Sequence, residues 1–149
     1  MTAAKAPVIA FVIPCYNEQA GIQHTLTYLL ADMAKLEKSK VISPKSYVVL
    51  VDDGSTDQTW RLAERIAHAR PKRVRAIKLS RNVGHQNALL AGLLSQIGKA
   101  DATISLDADL QDDMSVAAKM VERYCGPVSG AWRLSSVGLC ATEKNTFSS

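Results

Sequence analysis

Two carboxylates separated by one residue are the best candidates for chemistry in this chain. Asp107 and Asp109 follow an apolar run, residues 102–106, that reads as a buried strand. Carboxylate oxygens are ligands that Mg2+ and Mn2+ prefer, and such ions are usually held together with substrate phosphates. Asp107 and Asp109 would meet one ligand only if the chain turns after the strand. Asp109 would then bind the ion directly, and Asp107 would assist through water or contact a ribose hydroxyl. The spacing therefore points to a metal-bridged nucleotide diphosphate, although single Asp-x-Asp triplets are common in solvated turns.

A second acidic strand end strengthens this hypothesis. Asp52 and Asp53 follow a predicted strand at residues 47–51. Adjacent carboxylates repel each other and need a partner, so one of them is suited to accept from a ribose hydroxyl or a base N–H. The same segment is also a good turn and helix start, because Ser55 and Gln58 have capping-box spacing. Both interpretations stay open.

Polar side chains also follow the first predicted strand. Tyr16 is suited to pack on a base, and Asn17 and Glu18 offer polar groups to a nucleoside. The alternative for Asn17 is that it caps the helix that follows.

A basic residue and a helix start follow the third predicted strand. Arg81 is suited to pair with phosphate oxygens, and the helix start after Gly84 with an anion. His85 is a candidate general base only if it points into the same crevice, and a single His at a helix start is more often structural.

Strands and helices alternate along the chain, and this order positions the candidate residues. Strands are predicted over residues 8–13, 47–51, 74–79 and 102–106, and helices over residues 18–38, from 55, 84–97 and 115–124. The third helix is expected to bury Leu89, Leu90, Leu93, Leu94 and Ile97. The alternation predicts an α/β fold with a mainly parallel sheet flanked by helices. Because parallel strands end at one edge, the four segments should line one crevice.

Length and charge indicate a single ordinary domain and disfavour nucleic-acid binding. The chain has 149 residues and a net charge of +4. The basic loop with Arg70, Lys72, Arg73 and Arg75 is interpreted as a solvated connection, and no nucleic-acid partner is expected. No signal peptide is evident, and no apolar stretch approaches the roughly 20 residues that span a bilayer.

The three cysteines form neither a metal-type spacing nor a disulfide framework. Cys15, Cys125 and Cys140 are too few and too scattered, which suits a reducing, cytosolic compartment. Cys15 beside a strand end is expected to be a small buried residue.

The last 25 residues differ from the rest. Residues 125–149 are rich in Ser and Gly and have no useful periodicity. We therefore expect a nucleotide-sugar-binding part at residues 1–124 and an atypical tail, disordered or frame-shifted, at residues 125–149.

Taken together, four ordered segments resemble family 2 glycosyltransferases, with the resemblance covering roughly residues 7–124. They are residues 11–18 (FVIPCYNE), 51–57 (VDDGSTD), 80–86 (SRNVGHQ) and 107–112 (DADLQD). The last two look closest to the polyprenyl-phosphate branch, which includes bactoprenol glucosyltransferases and dolichyl-phosphate mannosyltransferases.

The resemblance implies a GT-A (Rossmann-like) fold and an inverting transfer. The donor would be a UDP- or GDP-linked sugar and the acceptor a polyprenyl phosphate, in lipid-linked or cell-envelope glycan synthesis at the inner face of the membrane. It assigns Pro14, Tyr16, Glu18 and Asp53 to the nucleoside, and Asp107, Asp109 and Gln111 to Mg2+ or Mn2+ and the diphosphate. Asp107 and Asp109 are the expected catalytic residues. Asn17, Asp52 and Arg81 complete the predicted donor site.

Two departures from the family pattern leave alternatives open. Family members usually carry Pro after this acidic segment, where this chain has Asp113, and the acceptor half with its membrane helices is not found. The chain is therefore expected to be truncated or frame-shifted, and the alternative function is a non-catalytic nucleotide-sugar-binding remnant. A homo-oligomer stays open. A dinucleotide-dependent oxidoreductase is disfavoured, because no Gly-x-Gly-x-x-Gly turn follows the first strand.

Overall fold

The computed structural model describes residues 5–109, 114–125 and 139–141, which form a sheet with helices on both faces. In chain order the elements are β1 (Ile9–Cys15), α1 (Ile22–Lys38), β2 (Tyr47–Asp52), α2 (Thr59–Ala69), β3 (Val74–Lys78), α3 (His85–Leu94), β4 (Ala102–Ser105), α4 (Met114–Cys125) and β5 (Leu139–Ala141).

The sheet has the order β3-β2-β1-β4-β5. The first four strands pair in parallel, and β5 runs antiparallel along β4. All residues of β1 and β2 are buried, which explains their uninterrupted apolar sequence. The predicted α/β architecture with a mainly parallel sheet is confirmed.

Alternate residues of the central strands face two separate cores. Phe11, Ile13 and Leu50 face α1, α2 and α4, whereas Val12, Val49 and Val51 face α3. This packing covers both faces of the sheet and leaves the carboxyl ends of the parallel strands, where the candidate residues lie, open to solvent.

β1 extends past the proline that was predicted to stop it. Pro14 lies within β1. Its backbone nitrogen faces β4, as does the backbone of Val12 two residues earlier. On that side Leu106 donates its N–H to the carbonyl of Val12, just beyond the last residue of β4, Ser105. The N–H that Pro14 lacks would therefore face a neighbour that has already ended, so proline costs no ladder hydrogen bond here.

α3 packs most closely on the sheet through small residues, and of the side chains predicted to be buried only Leu89 and Leu93 pack partly against the core. Ala88 and Gly92 are buried, whereas Leu90, Leu94 and Ile97 are more than half exposed. A Cβ on Gly92 would lie 2.5 Å from the Val12 side chain. This close approach rotates the larger side chains of α3 to the flanks of the helix and to its outer face.

Two arginines of the basic loop make intramolecular contacts. Arg73 pairs with Glu37 and donates to the carbonyls of Pro44 and Ser46, 3.0 and 2.8 Å away. Arg75 lies 3.8 Å above the Tyr47 ring. These contacts join the start of β3 to β2 and α1, which agrees with a structural interpretation of the loop.

The predicted tail contains a short strand. The sequence predicts no regular structure after residue 124, but Leu139–Ala141 form β5 against β4. Three residues are too few to show a periodicity in the sequence, and the pairing comes from tertiary contact. Within the described part of the chain, none of the helices has the length and apolar character needed to cross a membrane.

Candidate functional site

An open pocket of about 440 Å3 lies at the carboxyl ends of β1, β2 and β4. It is lined by Pro14, Cys15, Tyr16, Glu18, Asp53, Asn82, Gly84, His85, Asp107, Ala108 and Asp109. All four sequence segments contribute to this lining. The expected single crevice is therefore present in the structure.

Asn17 holds together the two loops on one side of the pocket. Its backbone has φ +51°, which Asn tolerates better than most residues. Its side-chain oxygen accepts from the Thr56 N–H at 2.9 Å, and its own N–H donates to the Ser55 hydroxyl at 3.0 Å. The structure thus places Asn17 between the β1–α1 and β2–α2 loops, not in the pocket lining and not at the start of α1.

A second set of hydrogen bonds continues this connection. The Glu18 N–H donates to the Thr59 hydroxyl at 2.8 Å, and the Thr59 N–H donates to Asp57 at 2.9 Å. Partial burial alone would raise the pKa of Asp57. Hydrogen bonds from Thr59 and Gln19 outweigh it and hold the pKa below its usual value.

These contacts explain why both predicted helix starts were wrong. The hydroxyl of Ser55 is used by Asn17, so the capping box does not form, and α2 begins four residues later, at Thr59. α1 begins at Ile22 after a turn in which the Glu18 carbonyl accepts from the N–H groups of Gly21 and Ile22. Loop-to-loop bonds have replaced the local caps that the sequence favours.

The two adjacent carboxylates at the end of β2 have different environments. Asp53 lines the pocket and accepts from the N–H groups of Val83 and Gly84, at 2.7 and 3.1 Å. Asp52 points to the opposite face and is 1% exposed, and neither of its carboxylate oxygens has a hydrogen-bond partner in the structure. The pocket therefore receives Asp53, while the predicted contribution of Asp52 to the lining is not found.

Cys15 lies beside Asp52 in the register of β1 and β2. Burial, with the negative charges of Glu18 and Asp52, raises the pKa of the Cys15 thiol to about 12. The thiol is therefore protonated at neutral pH, and the prediction of a small buried residue is confirmed.

The β3–α3 loop brings a different set of residues to the pocket than predicted. Asn82, Gly84 and His85 line it, whereas Arg81 lines a neighbouring depression with Leu79 and Val83. The loop passes so close to the β2–α2 loop that a Cβ on Gly54 would lie 2.4 Å from the Asn82 nitrogen. Sequence reasoning assigned no role to Asn82, although Asn82 belongs to the segment of residues 80–86 that was expected to line the crevice.

Asp107 and Asp109 enter the same pocket because the chain turns after β4. β4 ends at Ser105, and Ala108 is nearly buried between two exposed acidic residues. His85 at the start of α3 places Nε2 3.6 Å from the Asp107 carboxylate. Within the described residues no group of three or more His, Cys, Asp or Glu side chains could hold a metal by itself. Gln111 lies outside the described residues.

The Asp107 and Asp109 carboxylates nevertheless fit a divalent ion that is bound together with a substrate. Mg2+ is commonly held by one or two carboxylates plus substrate phosphates, with the remaining positions filled by water. Two exposed carboxylates on one pocket wall match that chemistry, with no third protein ligand required.

Comparisons with known proteins agree with this geometry. The model of the family described as "Glycosyl transferase family 2" matches residues 10–134, which extends past the boundary predicted at residue 124. An uncharacterized glycosyltransferase, YkoT, of Bacillus subtilis is 44% identical over 118 residues, covering 79% of this chain and 35% of that protein. The undecaprenyl-phosphate 4-deoxy-4-formamido-L-arabinose transferase of Pectobacterium atrosepticum is 35% identical over 114 residues, covering 76% and 32%.

Two solved structures share the fold. The mannosyltransferase PcManGT from Pyrobaculum calidifontis, in complex with GDP-Man and Mn2+, superposes with a TM-score of 0.63 at 25% identity, covering 82% of this chain and 33% of that one. Staphylococcus aureus TarS in complex with UDP gives 0.53 at 26% identity, covering 78% and 32%. The chain thus spans about a third of the length of these relatives, and the GT-A fold expected from the motifs is confirmed.

Proposed function

Because the chain belongs to glycosyl transferase family 2, we propose that its pocket binds a nucleotide-diphosphate sugar together with Mg2+ or Mn2+. We further propose that the sugar is transferred, with inversion, to a polyprenyl phosphate. The single observation that carries the donor-site proposal is that Asp107 and Asp109 share one pocket with Tyr16, Glu18 and Asp53.

The nucleoside would lie on the β1 side of the pocket. Tyr16 is 46% exposed there and offers a ring face for a base. Pro14 and Glu18 border the same wall. Asp53 already accepts two backbone N–H groups, but a carboxylate has about four acceptor positions, so it retains capacity for a base or ribose donor.

The diphosphate would lie on the β4 side. Asp107 and Asp109 would hold the divalent ion, and Gln111, by resemblance, would join them. When bound, the ion stabilises the negative charge that develops on the leaving diphosphate. His85 and Asn82 line the same pocket and are suited to donate hydrogen bonds to diphosphate oxygens, and His85 Nε2 lies 3.6 Å from the Asp107 carboxylate.

The name of one relative supports a lipid phosphate as the acceptor. One relative is named as an undecaprenyl-phosphate transferase. A phosphate monoester is already an anionic nucleophile, so transfer to it does not require a strong protein base. On the described pocket walls Asp53 is a buried carboxylate, but it already accepts from the N–H groups of Val83 and Gly84, and His85 is exposed, which is consistent with that chemistry.

A second candidate function is a nucleotide-sugar-binding protein that performs no transfer. The observation that favours it is that the chain matches only about a third of the length of its relatives. An assay for sugar transfer to polyprenyl phosphate separates the candidates, since donor binding without transfer supports the second.

The donor-site proposal is tested by calorimetry with UDP- and GDP-linked sugars, with and without Mn2+. We expect one nucleotide class to bind in a metal-dependent manner, and Asp109→Asn to weaken that binding at least about tenfold, or about 1.4 kcal/mol. Asp32→Asn is the matched control, because it removes a partly exposed carboxylate of α1 that lies 3.1 Å from Lys35 and does not line the pocket.

Two results would contradict the proposal. One is no binding of either sugar class by a folded wild-type chain. The other is equal loss of binding in Asp32→Asn and Asp109→Asn, which would indicate a general effect of charge and not a site.

A further inference from the structure

The backbone between the two acidic residues is held by a side chain from α1. The hydroxyl of Thr25 donates to the carbonyl of Ala108 at 2.7 Å, across 83 positions of sequence. Thr25 is 4% exposed, and the Ala108 methyl group belongs to the core under α1 and α4. A buried hydroxyl costs stability unless it is hydrogen-bonded, so this contact specifies where Ala108 lies.

A second threonine on the same helix shows that this contact is specific. The Thr27 hydroxyl is exposed and donates to the Gln23 carbonyl one turn earlier, at 2.9 Å, as threonine in a helix commonly does. Thr25 instead points away from its own helix and into the turn after β4. Thr25 and Thr27 therefore form a matched pair, with one tertiary and one local hydrogen bond.

The Thr25 bond is the second of two anchors around Asp107. On the N-terminal side of Asp107, the Leu106 N–H donates to the Val12 carbonyl at 3.0 Å, which continues the hydrogen bonding between β1 and β4 one step beyond β4. On the C-terminal side of Asp107, the carbonyl of Ala108 is held by the Thr25 hydroxyl. With both neighbours held against the core, the side chains of Asp107 and Asp109 are left on the solvent side, where both line the pocket.

We propose that Thr25 is a positioning residue that sets the spacing of the Asp107 and Asp109 carboxylates for a divalent ion bound to a diphosphate. This inference rests on the donor function proposed above. It adds that α1 connects the two halves of the site, because the helix starts from the Glu18 turn on the nucleoside side and reaches the Asp107–Asp109 turn through Thr25.

The test compares Thr25→Val, Thr25→Ser and Thr27→Val with the wild-type chain in two measurements. Hydrogen–deuterium exchange of the peptide containing residues 107–109 reports the turn without any ligand. Calorimetry reports the ratio of nucleotide-sugar affinities with and without Mn2+. Thermal unfolding and exchange in β1 and β2 confirm that each variant is folded, and Thr25→Ala replaces Thr25→Val if the valine variant does not fold.

We expect Thr25→Val to accelerate exchange in this peptide and to reduce the Mn2+-dependent gain in affinity about three- to tenfold, while metal-free binding is unchanged. Thr25→Ser should restore both values, and Thr27→Val should match wild type. The inference would be overturned if this peptide exchanged at the same rate in Thr25→Val as in the wild-type chain. An equal loss of affinity with and without Mn2+ would also overturn it. If the wild-type chain shows no metal-dependent binding, the donor function fails, and the exchange data alone decide whether Thr25 positions the turn.

Discussion

At the scale of single residues, the two adjacent carboxylates after β2 are expected to behave in opposite ways. Asp53→Asn should lower the free energy of unfolding by about 1–3 kcal/mol, because an amide can face the N–H groups of Val83 and Gly84 with only one oxygen. Asp52→Asn should leave stability unchanged or raise it, because the Asp52 carboxylate is buried without a hydrogen-bond partner.

Urea denaturation of both variants at neutral pH measures this difference. A larger loss of stability in Asp52→Asn than in Asp53→Asn would show that the division of roles inferred here is incorrect.

Cys15 gives a prediction about alkaline pH. Below pH 9.0 its thiol is protonated in both the folded and the unfolded chain; above it the unfolded thiol ionises, whereas burial keeps the folded thiol protonated up to about 12. Stability should therefore fall as pH rises from about 9 towards 12. The difference in unfolding free energy between the wild-type chain and Cys15→Ala isolates this contribution, and a difference that stays constant over that range would contradict it.

At the scale of secondary-structure elements, two glycines are predicted to be intolerant of a side chain. Gly92→Ala would place a Cβ 2.5 Å from Val12 and 2.7 Å from Val51, so α3 must move away from the sheet, at a cost of about 1–3 kcal/mol. Gly54→Ala should cost more, because φ is +66° and the clash is with the backbone of Arg81 and Asn82.

Gly21→Ala is the control for both variants, because its Cβ would meet nothing within 4 Å and its φ is −112°. Thermal unfolding of the three variants should rank Gly21→Ala nearest to wild type and Gly54→Ala farthest from it. Equal melting temperatures would contradict the close packing of α3 and of the β3–α3 loop.

The elements also show which structural features a sequence can predict. β1 and β2 were predictable because strands buried on both faces must be apolar throughout, and the parallel order followed from the alternation with helices. The starts of α1 and α2 were not, because Asn17 and Ser55 bond across loops that are separated by 38 positions in sequence. The buried face of α3 was predicted only in part, because a helix rich in leucine on several sides gives no clear periodicity, and the position of Gly92 decides which side faces the sheet.

The candidate site was predictable to a similar extent. Asp107, Asp109, Asp53, Tyr16, Glu18 and Pro14 were expected in one crevice and line one pocket. Asp52 was also expected there, but it ends β2 and points to the face opposite to Asp53, whereas Arg81 lies three residues after β3 and lines the neighbouring depression. Which neighbour enters a pocket depends on where the strand stops, and that is set by tertiary hydrogen bonds that leave no local signal.

At the scale of the whole molecule, the described fold has an open pocket at the carboxyl ends of its parallel strands, and this pocket is the proposed donor site. The chain matches about a third of the length of its relatives, so acceptor binding and transfer are proposals about a larger catalytic unit. The proposed donor binding, in contrast, uses pocket residues that the described part of this chain contains, together with Gln111, which lies outside it.

Paramagnetic broadening by Mn2+ tests the central claim most directly, because it reports where the ion lies. In a 15N-labelled chain with a saturating nucleotide sugar, substoichiometric Mn2+ should broaden the amide signals of Tyr16, Gly84, Ala108 and Asp109. Ser43 and Arg73, at the opposite end of the sheet, should stay sharp, and Asp109→Asn should abolish the effect. Broadening centred elsewhere, or none in the presence of a nucleotide sugar that binds, would contradict a metal-assisted donor site at the carboxyl ends of the strands.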